Sequence, residues 1–217
     1  MPGDIVEAGV FRGRSILATA MVLRELNSDK VVYGYDTFTG FPPVYHDKDD
    51  IRHFESLAAA GKISSDHLAA TKLLLTHRKA LSRTTTAPDA LSQSGRFDDA
   101  PLELLKDKIR YLGLDKWIRL VPGDFALSMG RGDGPRLVMA ALLDCDLYAS
   151  YMVALPWIWP NLVRGGYLWL DEYFSLKFPG ARIACDEFFA DKADKPTMHL
   201  RQPRDFERWY VQKFASD

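Results

Sequence analysis

The segment Val6–Ser15, reading Val-Glu-Ala-Gly-Val-Phe-Arg-Gly-Arg-Ser, constrains this chain more than any other stretch. The short apolar run Ile5-Val6 ends on Glu7, two glycines and a serine follow, and a helical pattern opens at Ile16. Ser15 to Leu26 carries Ala, Leu and Met at helical spacing. Lys30 to Tyr35 is β-branched and aromatic and stops at Asp36. Strand, helix and strand in about 30 residues make a βαβ unit, hence a parallel sheet with a right-handed crossover. A loop of this layout holds a nucleoside-bearing cofactor above the first strand.

The same alternation returns further along. Leu102–Leu112 is amphipathic and ends at Gly113. Trp117–Val121 reads as a third strand closing on Gly123-Asp124. Leu137–Leu143 is apolar throughout, as a central parallel strand is, and stops at Asp144. Tyr148–Leu162 reads as a helix kinked or interrupted around Pro156 and Pro160, and Gly166–Leu170 as a fifth strand ending at Asp171-Glu172. A helix over Arg182–Phe189 and strands near Met198–Leu200 and Arg208–Phe214 complete the pattern. Between Phe41 and Asp99 the regularity fades. Pro42, Pro43, the polar run Ser82–Thr86 and the histidines His46, His53, His67 and His77 fall there, with a helix or two in Ala58–Leu81. Residues 42–99 are expected to form a lid-like insertion without a core of its own, inside a single domain spanning 1–217.

With 28 Lys+Arg against 29 Asp+Glu, the chain lacks the basic excess that phosphate neutralisation demands, so a nucleic-acid partner is not expected. No apolar run of transmembrane length and no signal peptide is read, which predicts no membrane partner and a cytoplasmic location. Cys145 and Cys185 do not match metal or disulfide spacing and read as small apolar residues in a strand and a helix.

Five strands thus finish on acids: Glu7, Asp36, Asp124, Asp144 and Asp171. Ligands of open parallel sheets bind at the carboxyl ends of the strands, so five carboxylates face one rim. One such acid is explained by helix capping or an Asx turn. Five crowded together repel one another unless hydroxyls, amines or a cation lie between them. A Gly-x-Gly-x-x-Gly fingerprint is absent, and Glu7 beside Gly9 would repel a pyrophosphate, which argues against NAD. Glu7 suits an ammonium, as in S-adenosylmethionine. The helix start at Gly13–Ser15 offers N–H groups to a carboxylate. Asp36 is placed for ribose hydroxyls, and Asp124 for the adenine amino group with Phe125 stacking. Arg12 and Arg14 either steer the cofactor carboxylate or sit on a solvated turn.

Four motifs occur in one order: Val6–Ser15; Gly-Tyr-Asp-Thr-Phe-Thr-Gly-Phe-Pro from Gly34; Leu-Asp-Cys-Asp-Leu-Tyr-Ala-Ser from Leu143; and Gly-Gly-Tyr-Leu-Trp-Leu-Asp-Glu-Tyr from Gly165. Together they resemble the macrocin O-methyltransferase family, whose members include sugar O-methyltransferases of macrolide and aminocoumarin pathways. The resemblance implies the α/β class I methyltransferase fold, a Rossmann-like sheet of seven strands in the order 3-2-1-4-5-7-6 with helices on both faces. It implies S-adenosylmethionine held around Glu7, Ala8, Gly9, Arg12, Ser15, Asp36, Thr37, Phe38, Gly123, Asp124, Phe125 and Asp144. It also implies Mg²⁺ held by Asp144, Asp171 and Glu172, with Asp146 as general base beside Asp144. The family usually has Asp-Asp where this chain has Asp171-Glu172. The acceptor implied is a small-molecule hydroxyl, on a sugar or glycosylated natural product. A homo-oligomer is left open.

The chemistry stands on its own terms. A sugar or phenol hydroxyl is a poor nucleophile at neutral pH, and in-line displacement at a sulfonium needs it deprotonated and on axis. A carboxylate-bound Mg²⁺ orients the oxygen, and a nearby carboxylate or histidine takes the proton. For Asp146, capping of the helix from Tyr148 is an equal alternative. The five histidines, His199 included, are expected on the solvated surface, Trp157 and Trp159 in the core, and Tyr173 and Phe174, ahead of Phe178, in an acceptor pocket. A metal-independent methyltransferase of the same fold and a non-catalytic S-adenosylmethionine-binding module are the competing readings.

Overall fold

A computed structural model describes residues 1–42, 45–81, 97–202 and 206–215. Pro43 and the polar run Ser82–Thr86 lie outside the described residues. One sheet holds seven strands: β1 (Asp4–Ala8), β2 (Val32–Asp36), β3 (Ile118–Pro122), β4 (Val138–Leu143), β5 (Leu162–Leu170), β6 (Thr197–Met198) and β7 (Trp209–Gln212). Their order is β3-β2-β1-β4-β5-β7-β6, with β7 antiparallel to both its neighbours and the remaining pairs parallel. This is the strand order that the family resemblance implies. The helices are α1 (Arg14–Glu25), α2 (His53–Ala59), α3 (Ser65–Leu81), α4 (Leu102–Tyr111), α5 (Phe125–Ser128), α6 (Tyr148–Asn161) and α7 (Pro179–Phe188). Among the described residues no helix is long and apolar enough to cross a membrane.

Strand alternation sorts the core. Val6, Ala8, Leu143, Leu168 and Leu170 point to one face, where Tyr151, Leu155 and Ile158 of α6 and Ala181 and Cys185 of α7 cover them. On the other face α1 and α4 bring Ile16, Ala20, Leu23, Leu105 and Ile109 over the β1–β3 half. The bare Cα of Gly34 makes that approach feasible, since a Cβ there would lie 2.5 Å from Ile16 Cδ1. Cys145, just past β4, and Cys185 in α7 are free thiols buried as apolar groups.

Three elements differ from the sequence reading. Glu7 lies inside β1 rather than beyond it. Helix α6 runs through Pro156 and Pro160 without a break. Each proline removes a backbone donor, yet a wholly buried face of Tyr151, Ala154, Leu155, Ile158 and Trp159 holds the helix in place. The Tyr151 hydroxyl ties it to Leu143 O at 2.9 Å. Strand β5 starts at Leu162, directly at the end of α6, so the expected loop before Gly166 is strand.

The insertion also has a cluster of its own, contrary to expectation. Ile51, Phe54, Leu57 and Ile63 are buried together and pack on Ile183 of α7. Just before them, Asp49 is 1% exposed and its Oδ1 accepts the Tyr148 N–H at 2.8 Å, so the insertion caps α6. Lys48 Nζ donates to Glu187 at 2.7 Å and to the Tyr148 hydroxyl at 3.0 Å.

Gly9 lies where β1, β2 and β4 end together. Its N–H bonds Tyr35 O, its φ is +94°, and a Cβ would fall 1.9 Å from Asp144 O. Gly9→Ala therefore meets both backbone strain and a backbone collision, and is expected to cost about 3 kcal/mol or more. A urea midpoint within error of wild type would refute this. Asp49 gives a second prediction. Burial pushes its carboxyl from 3.8 up to about 6, against the Tyr148 N–H and His46, which favour the anion. A raised native pKa contributes stability below the unfolded value that is lost as pH rises through about 6. Asp49→Asn keeps a neutral acceptor for Tyr148. It should match wild type near pH ~4 and exceed it by about 2 kcal/mol at neutral pH. Urea unfolding of both proteins across that range reads the difference directly.

Candidate functional site

The carboxyl ends of β1, β2 and β4 open into one cavity of about 860 Å³. At one end lie Gly9, Asp36, Thr37, Asp124 and Phe125. Asp36 is held by three backbone donors: Val10 and Phe11 N–H to Oδ2, both at 2.8 Å, and Phe38 N–H to Oδ1 at 2.7 Å. Each carboxylate oxygen accepts about two bonds, so Oδ1 keeps one direction for a ligand. Asp124 caps α5 by accepting the Ala126 N–H at 2.8 Å, and this sets Phe125 on the cavity wall. Gly123, at φ +132°, makes the turn that aims both.

At the other end stand Asp144, Asp146, Glu172 and Lys177. Asp144, Asp171 and Glu172 each present an oxygen within 4.8 Å of the others. Burial and then the neighbouring Asp171 and Glu172 push Asp144 up to about 7. Burial likewise pushes Glu172 up to about 7, against its hydrogen bond with Ser175. Asp171 is oriented by Trp169, whose Nε1–H donates to Oδ1 at 3.0 Å. Asp146 adopts a left-handed backbone, φ +60°. Burial, followed by Glu172 and Asp144, raises its pKa well above the usual carboxylate range, while Lys177 opposes the shift. Asp146 does not cap α6, because the Tyr148 N–H is taken by Asp49. An all-oxygen set of three mutually repelling, half-buried carboxylates is suited to a hard divalent cation.

Between the two ends runs an aromatic wall. Phe97 meets Phe11 at 5.1 Å and Phe41 at 4.9 Å, and Phe41 meets Phe178 at 6.0 Å, all edge-on. These four rings line the cavity.

The structure brings Gly9, Asp36, Thr37, Asp124, Phe125, Asp144, Asp146 and Glu172 to one space. The other sequence candidates stand back from its wall. Glu7, 2% exposed, accepts the Ser15 hydroxyl at 2.7 Å, and burial pushes it up to about 8. Ala8 is buried in β1, Phe38 is buried against α1 and α4, and exposed Arg12 pairs with Asp99. Asp171 reaches the site through its contact with Asp144 and Glu172.

Several expectations need correcting. Tyr173 and Phe174 do not line this cavity. The Tyr173 hydroxyl donates to Asp186 at 2.6 Å, its ring packs on Trp209, and Phe174 packs on His67. His67 is not a surface histidine, being 5% exposed with Nε2 2.6 Å from Ser175 O. Burial lowers its pKa, so it stands neutral and donates to that carbonyl. Trp159 is core, and Trp157 packs on Tyr35 at 5.3 Å. Sequence reasoning missed Lys177, Asp49, Phe41 and Phe97. Lys177 lies only five positions past Glu172, a usable signal, whereas nothing local marks Asp49.

Comparison with known proteins agrees with this architecture. The model of the macrocin-O-methyltransferase (TylF) family matches residues 1–72 and 80–201. Demethyldecarbamoylnovobiocin O-methyltransferase of Streptomyces niveus is 28% identical over 199 residues, 90% of this chain and 62% of that protein. Mycinamicin III 3''-O-methyltransferase of Micromonospora griseorubida is 26% identical over 190 residues, 87% of this chain and 61% of that protein. The chain thus spans less than two thirds of the length of these relatives. Among solved structures, the O-methyltransferase NovP superposes with a TM-score of 0.68 at 24% identity, over 99% of this chain and 73% of that one. The calicheamicin methyltransferase CalS11 gives 0.64 at 23%, over 98% and 72%. These two structural likenesses are of fold. The family match covers most of the sequence, and the chain belongs to the macrocin-O-methyltransferase family.

Proposed function

We propose that this chain carries the S-adenosylmethionine-dependent transfer of a methyl group to a hydroxyl of a small molecule, a sugar or glycosylated natural product. One observation carries the reading: a single cavity runs from Asp36 and Asp124 to Asp144, Asp146 and Glu172. A nucleoside cofactor at one end and an acceptor hydroxyl at the other would share it, so the methyl group never crosses solvent.

Asp36 uses its remaining Oδ1 direction for a ribose hydroxyl, and the Val10 and Phe11 N–H bonds hold it there. Asp124 and Phe125 meet the adenine, by hydrogen bond and by face. Glu7 acts from behind the wall. It braces the first turn of α1 through Ser15, and an approaching ammonium would draw it into its ionised form. The aromatic wall of Phe11, Phe41, Phe97 and Phe178 excludes water and packs against the apolar part of the acceptor. Holding donor and acceptor at fixed separation supplies several kcal/mol of the barrier, about 7 or more in well-oriented cases.

Asp144, Asp171 and Glu172 would hold Mg²⁺, a fit supported by the close all-oxygen cluster whose members repel in its absence. When bound, the ion supplies positive charge that acidifies and orients an acceptor hydroxyl. Asp146, whose backbone turns it toward the cavity, accepts the proton. Burial, Glu172 and Asp144 oppose the anion that this requires, and Lys177 together with the positive charge of a bound ion would favour it.

Four measurements test the reading. Calorimetry should give binding of S-adenosylmethionine and none of NAD, and the reverse result overturns it. Asp36→Ala should weaken S-adenosylmethionine binding about tenfold or more. With a sugar acceptor, EDTA should abolish methyl transfer and Mg²⁺ restore it. Asp171→Asn should lower kcat by about 100-fold while S-adenosylhomocysteine binds as in wild type. Undiminished turnover in EDTA would leave the metal-independent reading in its place.

A further inference from the structure

We infer that Phe11 is a positioning residue that couples the cofactor end of the large cavity to its acceptor end. The inference rests on the proposed function, in that a ribose hydroxyl takes the remaining Oδ1 direction of Asp36. Phe11, Asp36, Phe41 and Phe97 all line this one cavity.

Its backbone ties Phe11 to the cofactor end. The Phe11 N–H donates to Asp36 Oδ2 at 2.8 Å, beside the Val10 N–H at the same distance, and the Gly13 N–H closes the turn onto Val10 O at 2.9 Å. Phe11 has φ +48°, a left-handed conformation that a bulky residue rarely adopts. The bonds to Asp36 hold the turn in that form, and the turn in that form aims the ring. A ribose hydroxyl on Oδ1 would fix the same carboxylate from its other side, so binding there stiffens residues 10–13 as well.

Its side chain ties Phe11 to the acceptor end. The ring meets that of Phe97 edge-on at 5.1 Å, and Phe97 meets Phe41 at 4.9 Å. The same two segments are joined a second time, because Arg12 pairs with Asp99. Both side chains of that ion pair are more than half exposed, at 56% and 62%, so it contributes little. An edge-on aromatic pair adds its own attraction to the burial of two large rings. The ring contact therefore carries the coupling. A bound cofactor orders Phe97 before the acceptor arrives, and the acceptor pocket is complete only with the cofactor in place. Binding is then ordered, cofactor first.

Hydrogen exchange on the whole chain, with and without saturating S-adenosylhomocysteine, tests the coupling without an acceptor. In wild type the ligand should slow exchange of residues 34–38 and, by about tenfold, of residues 97–105. In Phe11→Ala the first protection should persist and the second should vanish. Phe97→Ala removes the same contact from its other side and should give the same result, so the test stands should one variant fail to fold. Full protection of residues 97–105 in either variant overturns the coupling. So does their unchanged exchange in wild type while residues 34–38 are protected, and both outcomes leave the proposed function intact. Absence of protection at residues 34–38 in wild type overturns both.

Discussion

Four carboxylates in one half-buried corner are the constraint on which the rest of this molecule depends. Asp144, Asp146 and Glu172 are all pushed upward first by burial and then by neighbouring acids. Such a cluster is unstable in isolation and persists only because the scaffold over-determines it. The sheet does this by ending β4 and β5 side by side, Leu143 paired with Leu170, so that Asp144 and Asp171 must follow together. Gly9 completes the arrangement. Only a residue without a Cβ lets the β1 turn pass Asp144 O, and that passage makes one cavity of the cofactor turn and the acid corner.

The supports around the corner are of two kinds. Some are local: Trp169 orients Asp171 from the same strand, and Ser175 reaches back to Glu172. Others come from far along the chain. Asp49, ninety-nine positions away, caps the helix that opens just past Asp146. A Cβ on Gly180 would lie 2.0 Å from that carboxylate, so α7 also closes around it. The insertion is therefore joined to the elements around the cavity. It supplies a cap, a small apolar cluster on Ile183, and Phe97 of the aromatic wall.

What could be read from the sequence followed from periodicity and from strand ends. Leu137–Leu143 announces a central strand because burial on both faces requires an unbroken apolar run, and β4 lies there. The acids Asp36, Asp144 and Asp171 were legible because parallel strands all finish on one rim. The aromatics after Asp171 misled, since the chain turns at once. A short 3₁₀ turn, Asp171–Tyr173, carries Tyr173 and Phe174 to the α3–α7 side, and Phe178 returns to the cavity. His67 misled for a related reason. A histidine in a polar helix carries no local sign that a distant carbonyl, Ser175 O, will cover it. Asp49 and Phe97 were invisible because their partners lie across the fold.

The loop from Asp171 to Ser175 shows why such non-local supports matter. Glu172 lines the larger cavity with Asp171 close against it, and the carbonyls at Tyr173 and Ser175 are held by Arg182 and His67. A short 3₁₀ turn has too few internal bonds to hold two acids against their mutual repulsion. Its geometry is therefore set from behind, by side chains that never touch a reacting atom. Rigidity of the acid corner is in this sense a property of α3 and α7 as much as of the sheet.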